Sequence, residues 1–563
     1  MREPAAPVAG APPRASLAGT AGTAVAPRAA VLDAVPVAVA GGLALVGALL
    51  QWRGADLPAA IYRIDDFRLR GFQLWDSQWY GGHHALGWSV LLPPVGAVFG
   101  PTLTGLASAV AAAWLFGGLA RRHLGRAGLA AAVVFSAGTV VNLIVGRLPF
   151  SLGLALGMGA VVVGLERGRW IGGAVLAALT ALASPVAGAF VALAASAWAL
   201  APVASPRQWR LARRGGLAVA GAAAVPIVAV AAMFPDGGRF PFRPGAYVAL
   251  LFVCLGLWLA LPRTPTFRAL RVGVVLYAIS ATALFVVPNP MGGNVVRLAT
   301  AVGAPVAVAA LWGGRRWAAL AVAVPVLCWH WNPTVDTIFH AKDDPSASRD
   351  YFAPLVGALA AAGPGERVEV PFTHHHWETA YLPDHAPLAR GWERQLDLRY
   401  NRVLYTSTLT PEEYHGWLLD NAVRFVALPD VGIDQSSRAE AAILEGAPVP
   451  WLRLVWQNTH WRLWEVTDAR PVVDAPARLV RSDDGGFAVD VPAPGTYTVR
   501  IHHTPRFSVD GDAACLASTD DGWTRMDVRR PGLVEVGVAL RASAASSCPD
   551  AGEGPHRVAP HTG

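Results

Sequence analysis

The sequence predicts an α-helical domain that crosses a membrane many times, followed by a C-terminal region with an α/β part and a β-sandwich part. Of 563 residues, 53% are hydrophobic and 15% are charged, whereas soluble proteins carry about 25% charged residues. The apolar residues are concentrated in blocks between residues 34 and 332. The remaining C-terminal residues have the charge and turn content of a globular region. A membrane accommodates the first region, and the second folds outside it.

The N-terminal residues 1–33 are rich in Ala, Pro and Gly and have no hydrophobic periodicity. They are predicted to be a disordered cytoplasmic leader. The apolar block that begins at residue 34 is predicted to be the first membrane helix. A cleaved signal peptide is the alternative, but this block is long, lacks a clear cleavage site and is followed by further spans.

Arginine clusters divide the apolar blocks and predict the membrane topology. They lie at residues 121–126, 167–169, 207–214, 263–271 and 315–316. Each cluster is expected in the cytoplasm, and the Gly- and Pro-rich breaks between clusters are expected on the other side. About eleven spans result, at 34–51, 88–117, 128–145, 149–165, 171–185, 186–204, 217–234, 247–262, 271–287, 299–313 and 317–332. The prediction is a multi-pass protein of the cell (inner) membrane with an extracytoplasmic C-terminal region.

The C-terminal region is predicted to contain two parts and a tail. Residues 333–469 combine short β-branched runs with helical stretches and indicate an α/β domain. Residues 470–548 show alternating runs separated by turns and indicate a β-sandwich, and residues 549–563 are predicted to be disordered. In an exported region, Cys515 and Cys548 are expected to form a disulfide.

The predicted first external loop, residues 52–87, is longer than the others and mixes charges with aromatic residues. Asp56 lies directly after the first helix, and Arg63 and Asp76 follow in the same loop. A carboxylate at the membrane surface can accept a proton from an attacking hydroxyl group. Neighbouring arginines can hold a phosphate. The loop is therefore the predicted functional segment.

Motifs in and after this loop resemble those of a known class of membrane enzymes. An acidic residue after the first helix is followed by Gly71, Trp75, the Tyr80-Gly81-Gly82 run and Pro93-Pro94. The pattern resembles GT-C-type membrane glycosyltransferases. It is more narrowly similar to bacterial membrane proteins, actinobacterial ones among them, that have a domain related to 6-pyruvoyl-tetrahydropterin synthase.

The sequence departs from that narrower family at two positions. Asp56 and Pro58 match the opening of its first loop, but Ala60 stands where those proteins have histidine. Asp76 stands where they have asparagine.

The resemblance implies a GT-C-like fold that transfers a sugar from a polyprenyl-phosphate donor to a glycan or glycoprotein acceptor of the cell envelope. It implies Asp56 as the preferred catalytic base, with Asp76 as the second candidate. A helix cap at the membrane interface is the alternative role for Asp56.

Three arginines are candidates for binding the donor phosphate, namely Arg63, Arg147 and Arg297. Snorkelling to lipid headgroups is the alternative for Arg147 and Arg297. Stacking on sugar rings is the predicted role of a second set, which consists of Trp75, Trp79, Tyr80, His83 and His84. An aromatic belt at the membrane interface is the alternative for the aromatic members.

No metal site is predicted from the histidine runs at 83–84 and 374–376, because neither has the spacing of a recognisable zinc site. The cofactor is left unknown, with a divalent metal as an open option, and no nucleic-acid partner is expected. Two other functions are open, a non-catalytic envelope-assembly scaffold and a lipid or solute transporter. The nearly charge-free spans disfavour ion-coupled transport.

Overall fold

The computed structural model describes residues 25–202, 205–341, 343–362, 365–541 and 546–548. Most of the predicted leader and the whole predicted tail, 549–563, lie outside the described residues. Helix α1 runs from Val25 to Leu49, so it begins before the predicted boundary at residue 34.

In the described part of the chain, eleven further α-helices follow before the C-terminal region. They are α2 (Leu57–Arg70), α3 (Leu92–Phe99), α4 (Pro101–Val145), α5 (Leu148–Ala160), α6 (Trp170–Ala183), α7 (Pro185–Leu200), α8 (Pro206–Met233), α9 (Pro244–Ala260), α10 (Arg268–Val286), α11 (Val296–Leu311) and α12 (Arg316–Ala341). A π-helical turn, Val161–Glu166, extends α5.

Six helical segments of the described chain are long and apolar enough to cross a membrane, and four shorter apolar helices accompany them. Helix α4 contains two predicted spans that meet at a kink at Gly125, whose φ of +55° is left-handed. The predicted span 88–117 is wrong at its start, because residues 92–99 form the separate helix α3. The count of eleven spans stays a prediction.

The last membrane helix is longer than predicted. Helix α12 continues to Ala341, past the predicted domain boundary at residue 332. Two prolines, Pro325 and Pro333, lie inside it.

The described residues of the α/β part form a four-stranded sheet and five α-helices. The strands are β3 (Arg367–Glu369), β4 (Val423–Pro429), β5 (Leu452–Gln457) and β6 (Trp461–Val466), in the order β3-β4-β6-β5. Strand β3 is parallel to β4, and the other pairs are antiparallel. The helices are α13 (Arg349–Ala362), α14 (Glu378–Tyr381), α15 (Arg394–Tyr400), α16 (Pro411–Asp420) and α17 (Arg438–Glu445).

The last part contains two antiparallel sheets that share one apolar core, as predicted for the C-terminal β-region. Its strands are β7 (Arg478–Asp483), β8 (Gly486–Val491), β9 (Gly495–His502), β10 (Phe507–Val509), β11 (Ala514–Ser518), β12 (Trp523–Val528) and β13 (Gly532–Val538). The sheet orders are β10-β13-β8-β7 and β11-β12-β9. The predicted disulfide between Cys515 and Cys548 is confirmed.

The first loop is inserted between the two C-terminal parts. Its short strands β1 (Trp75–Asp76) and β2 (His83–His84) pair as a hairpin. Trp75 belongs to the apolar core of the β-sandwich. Trp79 and Tyr80 belong to the apolar core of the α/β part, so both C-terminal parts pack on this loop.

Candidate functional site

A cavity of about 710 Å³ lies where the first loop, the membrane helices and the α/β part meet. Asp56, Arg147 and Arg297 all line it, and we call it the Asp56 recess. Much of its remaining wall is apolar, including Phe150, Val186, Ile227, Phe234 and Met291. A mainly apolar pocket with a few convergent charges is typical of a site for an amphipathic ligand.

Asp56 immediately precedes α2, but its carboxylate makes no capping hydrogen bond to that helix. It accepts a hydrogen bond from Nε of Arg147 at 2.9 Å instead. The backbone N–H of Asp56 donates to the carbonyl of Val145 at 3.0 Å, which ties this segment to the end of α4. The helix-cap role considered for Asp56 is therefore not realised.

Gly146 permits the close approach that brings Arg147 to Asp56. Its φ is +91°, a left-handed conformation that terminates α4. A Cβ atom at this position would lie 2.2 Å from the backbone nitrogen of Leu57. Only glycine fits between the two segments without displacing the backbone.

Arg297 lies in the first turn of α11, and its guanidinium carbon is 5.5 Å from the centre of the Phe150 ring. Within the described ranges, no carboxylate lies within ion-pair distance of it. The Asp56 recess therefore places two arginines near one carboxylate. Burial alone would raise the pKa of Asp56, but Arg147 and Arg297 outweigh it and lower that pKa. Asp56 is ionised at neutral pH.

Arg63 and Asp76 belong to a different cluster, which corrects their predicted roles. Arg63 donates to Asp76 Oδ2 at 2.7 Å and to Glu393 Oε1 at 2.8 Å, and lies 2.6 Å from His83 Nε2. We call these four residues the Arg63 cluster, and each is less than 8% exposed. Asp76 also accepts hydrogen bonds from the Tyr62 hydroxyl and the Gln78 N–H. Arg63 and Asp76 are held by partners inside the protein and do not line the recess.

Four of the five residues predicted to stack on sugars are buried by protein. Trp75, Trp79, Tyr80 and His83 are at most 2% exposed. The ring of Trp79 stacks on Tyr62 with a centroid distance of 4.4 Å and lies parallel to His83. These residues have no free face for a sugar, because the C-terminal parts cover the loop.

His84 is the fifth member of that set, and it lines the recess. Its Nδ1 lies 2.8 Å from Asp236, and its Nε2 lies 3.0 Å from the Thr504 hydroxyl. It is therefore a wall residue whose ring is already held from both sides.

The recess residues that did not emerge from the sequence include Asp236, Trp329, His330, Glu393 and Arg394. His330 could have been recognised from the sequence as a candidate site residue, since it is an ionisable residue inside an apolar span. Its Nε2 lies 2.9 Å from the Gly138 carbonyl. Glu393 and Arg394 reach the recess only through the tertiary fold, at the start of α15.

Two groups of described residues have the spacing of possible metal ligands. One consists of Asp336, His340 and His374, and the other of Asp527 with the disulfide cysteines. The second group has no free thiolate, because Cys515 and Cys548 are bonded to each other. Neither group lines the Asp56 recess.

Comparison with known proteins found no matching family model and no matching curated protein. Among solved structures, the chain is similar to the arabinofuranosyltransferase AftD from mycobacteria, with a TM-score of 0.44, 15% identity and coverage of 90% of this chain and 40% of AftD. Two classes of an AftD mutant give TM-scores of 0.46 and 0.45 at 16% and 15% identity. They cover 86% and 85% of this chain and 43% of AftD in each case. The chain spans less than half of AftD's length, and similarity at this level assigns it no activity.

Proposed function

We propose that this protein is a GT-C-type membrane glycosyltransferase that moves a sugar from a polyprenyl-phosphate donor to an extracytoplasmic acceptor of the cell envelope. The observation that carries the proposal is the composition of the Asp56 recess. Asp56 lies with Arg147 and Arg297 in the wall of a mainly apolar cavity, and the other carboxylates of that wall, Asp236 and Glu393, have partners inside the protein. That combination suits a ligand with an anionic head, a polar sugar and a hydrocarbon tail.

The charges in the recess favour a singly anionic phosphodiester. Beside Asp56, which supplies one negative charge, Arg147 and Arg297 carry two positive charges. The other two carboxylates of the wall, Asp236 and Glu393, are engaged by His84 and Arg63, and Arg394 adds a further positive charge. A polyprenyl-phosphate sugar has one negative charge on its phosphodiester, which balances the remaining positive charge beside Asp56. Hydrogen bonds between guanidinium and phosphate are strong and directional.

Phosphate binding also prepares Asp56 for catalysis. In the free protein, Arg147 donates to the Asp56 carboxylate at 2.9 Å. A phosphate that engages Arg147 competes for that hydrogen bond and raises the basicity of Asp56. The carboxylate then accepts a proton from the acceptor hydroxyl as that oxygen attacks the anomeric carbon.

The reaction exchanges one carbon–oxygen bond for another. The acceptor oxygen bonds to the anomeric carbon while the bond from that carbon to the phosphate oxygen breaks. The leaving group is polyprenyl phosphate, and its additional negative charge develops next to Arg147 and Arg297. Attack from the face opposite the phosphate inverts the configuration of the sugar.

A transfer assay with the full-length protein in nanodiscs tests this proposal. Wild type, Asp56→Asn and Asp65→Asn are given radiolabelled polyprenyl-phosphate pentoses and hexoses with envelope extract. Asp65 is the matched control, since it lies on the same loop and pairs with Arg68 outside the recess. We expect transfer by wild type and Asp65→Asn, and a loss of at least about 100-fold in Asp56→Asn.

Undiminished transfer by a folded Asp56→Asn protein would refute the role of Asp56. Absence of transfer with every donor, together with donor binding by the recess, would refute catalysis and favour a scaffold. Movement of unreacted donor across a liposome bilayer would favour a transporter.

A further inference from the structure

We infer that Asp336, His340 and His374 form a binding site for a divalent transition metal, with Zn²⁺ as the ion that fits best. The site lies where the last membrane helix meets the α/β part, and it is separate from the Asp56 recess. Each residue offers one ligand atom, and the three atoms lie within 4.8 Å of one another. The inference does not depend on the proposed transferase activity.

The spacing of the ligand atoms matches zinc coordination. Ligands bound to a tetrahedral zinc at about 2.0–2.1 Å lie about 3.4 Å from each other. His340 Nδ1 is 3.4 Å from Asp336 Oδ1, and His374 Nε2 is 3.5 Å from the other oxygen of the same carboxylate, Oδ2. His340 Nδ1 also lies 2.9 Å from the Asp336 carbonyl oxygen, a hydrogen bond that an ion bound at Nδ1 would replace. The ring centroids of the two histidines are 4.4 Å apart. Binding of one ion requires His340 to release or rotate away from the Asp336 carbonyl and the three ligand atoms, now within 4.8 Å of one another, to close to about 3.4 Å.

The elements that carry the ligands hold them in place. Asp336 and His340 are four residues apart in the last turns of α12, so both project from one face of the helix. His374 lies between β3 and α14, in a segment where the neighbouring His375 Nδ1 is 3.0 Å from Asp344. Two imidazoles and one carboxylate form a common ligand set for zinc with an open fourth position.

The ligands are accessible to an incoming ion and its water. The side chains of Asp336, His340 and His374 are 57%, 53% and 30% exposed. A bound ion would join α12 to the α/β part through bonds that neither segment makes alone. It would also lie close to the first loop, because a Cβ at Gly54 would come within 2.8 Å of Thr337 on the intervening turn of α12.

Metal binding by the full-length protein tests the site directly. The protein is purified without a polyhistidine tag, stripped with a chelator and titrated with Zn²⁺, and then with Co²⁺ for its visible spectrum. We expect about one Zn²⁺ per chain and the intense visible bands of tetrahedral Co²⁺. His374→Ala and Asp336→Asn are each expected to weaken binding by at least 10–100-fold, roughly the cost of disturbing a zinc site.

His460→Ala is the matched control, because His460 is a half-exposed histidine of the same domain that pairs with Asp430. It is expected to bind Zn²⁺ like wild type. Thermal unfolding with and without Zn²⁺ shows that each variant is folded, and Zn²⁺ should raise the midpoint for wild type and His460→Ala only. Absence of stoichiometric binding by wild type would overturn the inference. Equal affinity in His374→Ala and wild type would overturn it as well.

Discussion

The Arg63 cluster and the Asp56 recess each combine a carboxylate of the first loop with arginine, yet they differ in composition. The Arg63 cluster has one arginine for two carboxylates, with direct contacts of 2.7 and 2.8 Å. The Asp56 recess is a cavity of about 710 Å³ in which Arg147 and Arg297 lie beside Asp56, whereas the other two carboxylates of its wall, Asp236 and Glu393, already contact His84 and Arg63. The first is complete within the protein, whereas the second has positive charge left for an anion.

This difference shows that residue type alone does not identify a functional site. Arg63 and Asp76 have the chemistry of a phosphate ligand and a base, but burial and pairing make them structural. Asp56 and Arg297 have the same chemistry beside open space. The balance of charge and the access to a cavity distinguish the two roles.

Removing Arg63 is expected to have the largest effect on stability. Arg63→Ala leaves Asp76 and Glu393 buried without their cation. Breaking a buried ion pair from one side costs about 3–5 kcal/mol. Chemical denaturation of the purified protein should show that loss. A stability equal to wild type would contradict the structural role of the cluster.

Glu378 tests a third situation, a buried carboxylate for which the described chain shows no arginine or histidine at ion-pair distance. Burial raises its pKa to about 8. Between its ordinary pKa and that value, the folded protein holds a proton that the unfolded chain has lost. Stability therefore falls as pH rises, by about 1.4 kcal/mol per pH unit for this group.

The variant Glu378→Gln should lose that contribution, so its stability relative to wild type should increase steadily between pH 5 and 8. Unfolding measured at several pH values gives this difference. Glu412→Gln, a change at an exposed glutamate of α16, serves as the control. If the difference in stability between Glu378→Gln and wild type does not change with pH, Glu378 is ionised in the folded protein.

Arg297→Gln is expected to weaken donor binding while leaving stability unchanged or slightly higher. Loss of a charge-assisted hydrogen bond costs about 1.5–3 kcal/mol, or about 10–100-fold in affinity. The loss of affinity is measured by titrating a polyprenyl phosphate into the protein in nanodiscs. Arg316→Gln, at an exposed arginine that begins α12, should bind like wild type. Equal affinity in all three proteins would exclude Arg297 as a phosphate ligand.

Arg68 should give the smallest effect, although it also pairs with a carboxylate of the first loop. Its side chain and that of Asp65 are 42% and 32% exposed and 2.8 Å apart. Exposed pairs contribute about 0–1 kcal/mol. Arg68→Ala should therefore change the unfolding free energy by less than Arg63→Ala. Similar losses in the two variants would remove the distinction between buried and exposed pairs.

The sequence predicted the helical first half and the β-rich C-terminal region because hydrophobic blocks and alternation are local signals. It also selected Asp56, Arg147 and Arg297, which all line one recess. These residues were recognisable because each lies at a break between apolar runs. The sequence named all three as candidates for one donor site, but it also named Arg63 and could not show that Arg147 and Arg297 are the arginines beside Asp56.

The burial of the first loop could not be predicted from its own residues. Arg63 pairs with Glu393, 330 residues further along the chain. Trp79 and Tyr80 resemble an interfacial belt in sequence, but the α/β part covers them. Only the tertiary fold shows which aromatic faces are free.

The insertion of Trp75 into the β-sandwich core has a consequence for biogenesis. The neighbouring Ser77 donates a hydrogen bond to Asp484, a partner 407 residues later in the chain. During synthesis the first loop emerges long before the segments that cover it. Trp75 must therefore stay exposed until the last strands are made, and a C-terminal fragment produced alone would lack part of its own core. The order of synthesis therefore delays completion of this core until the C-terminal strands have been made.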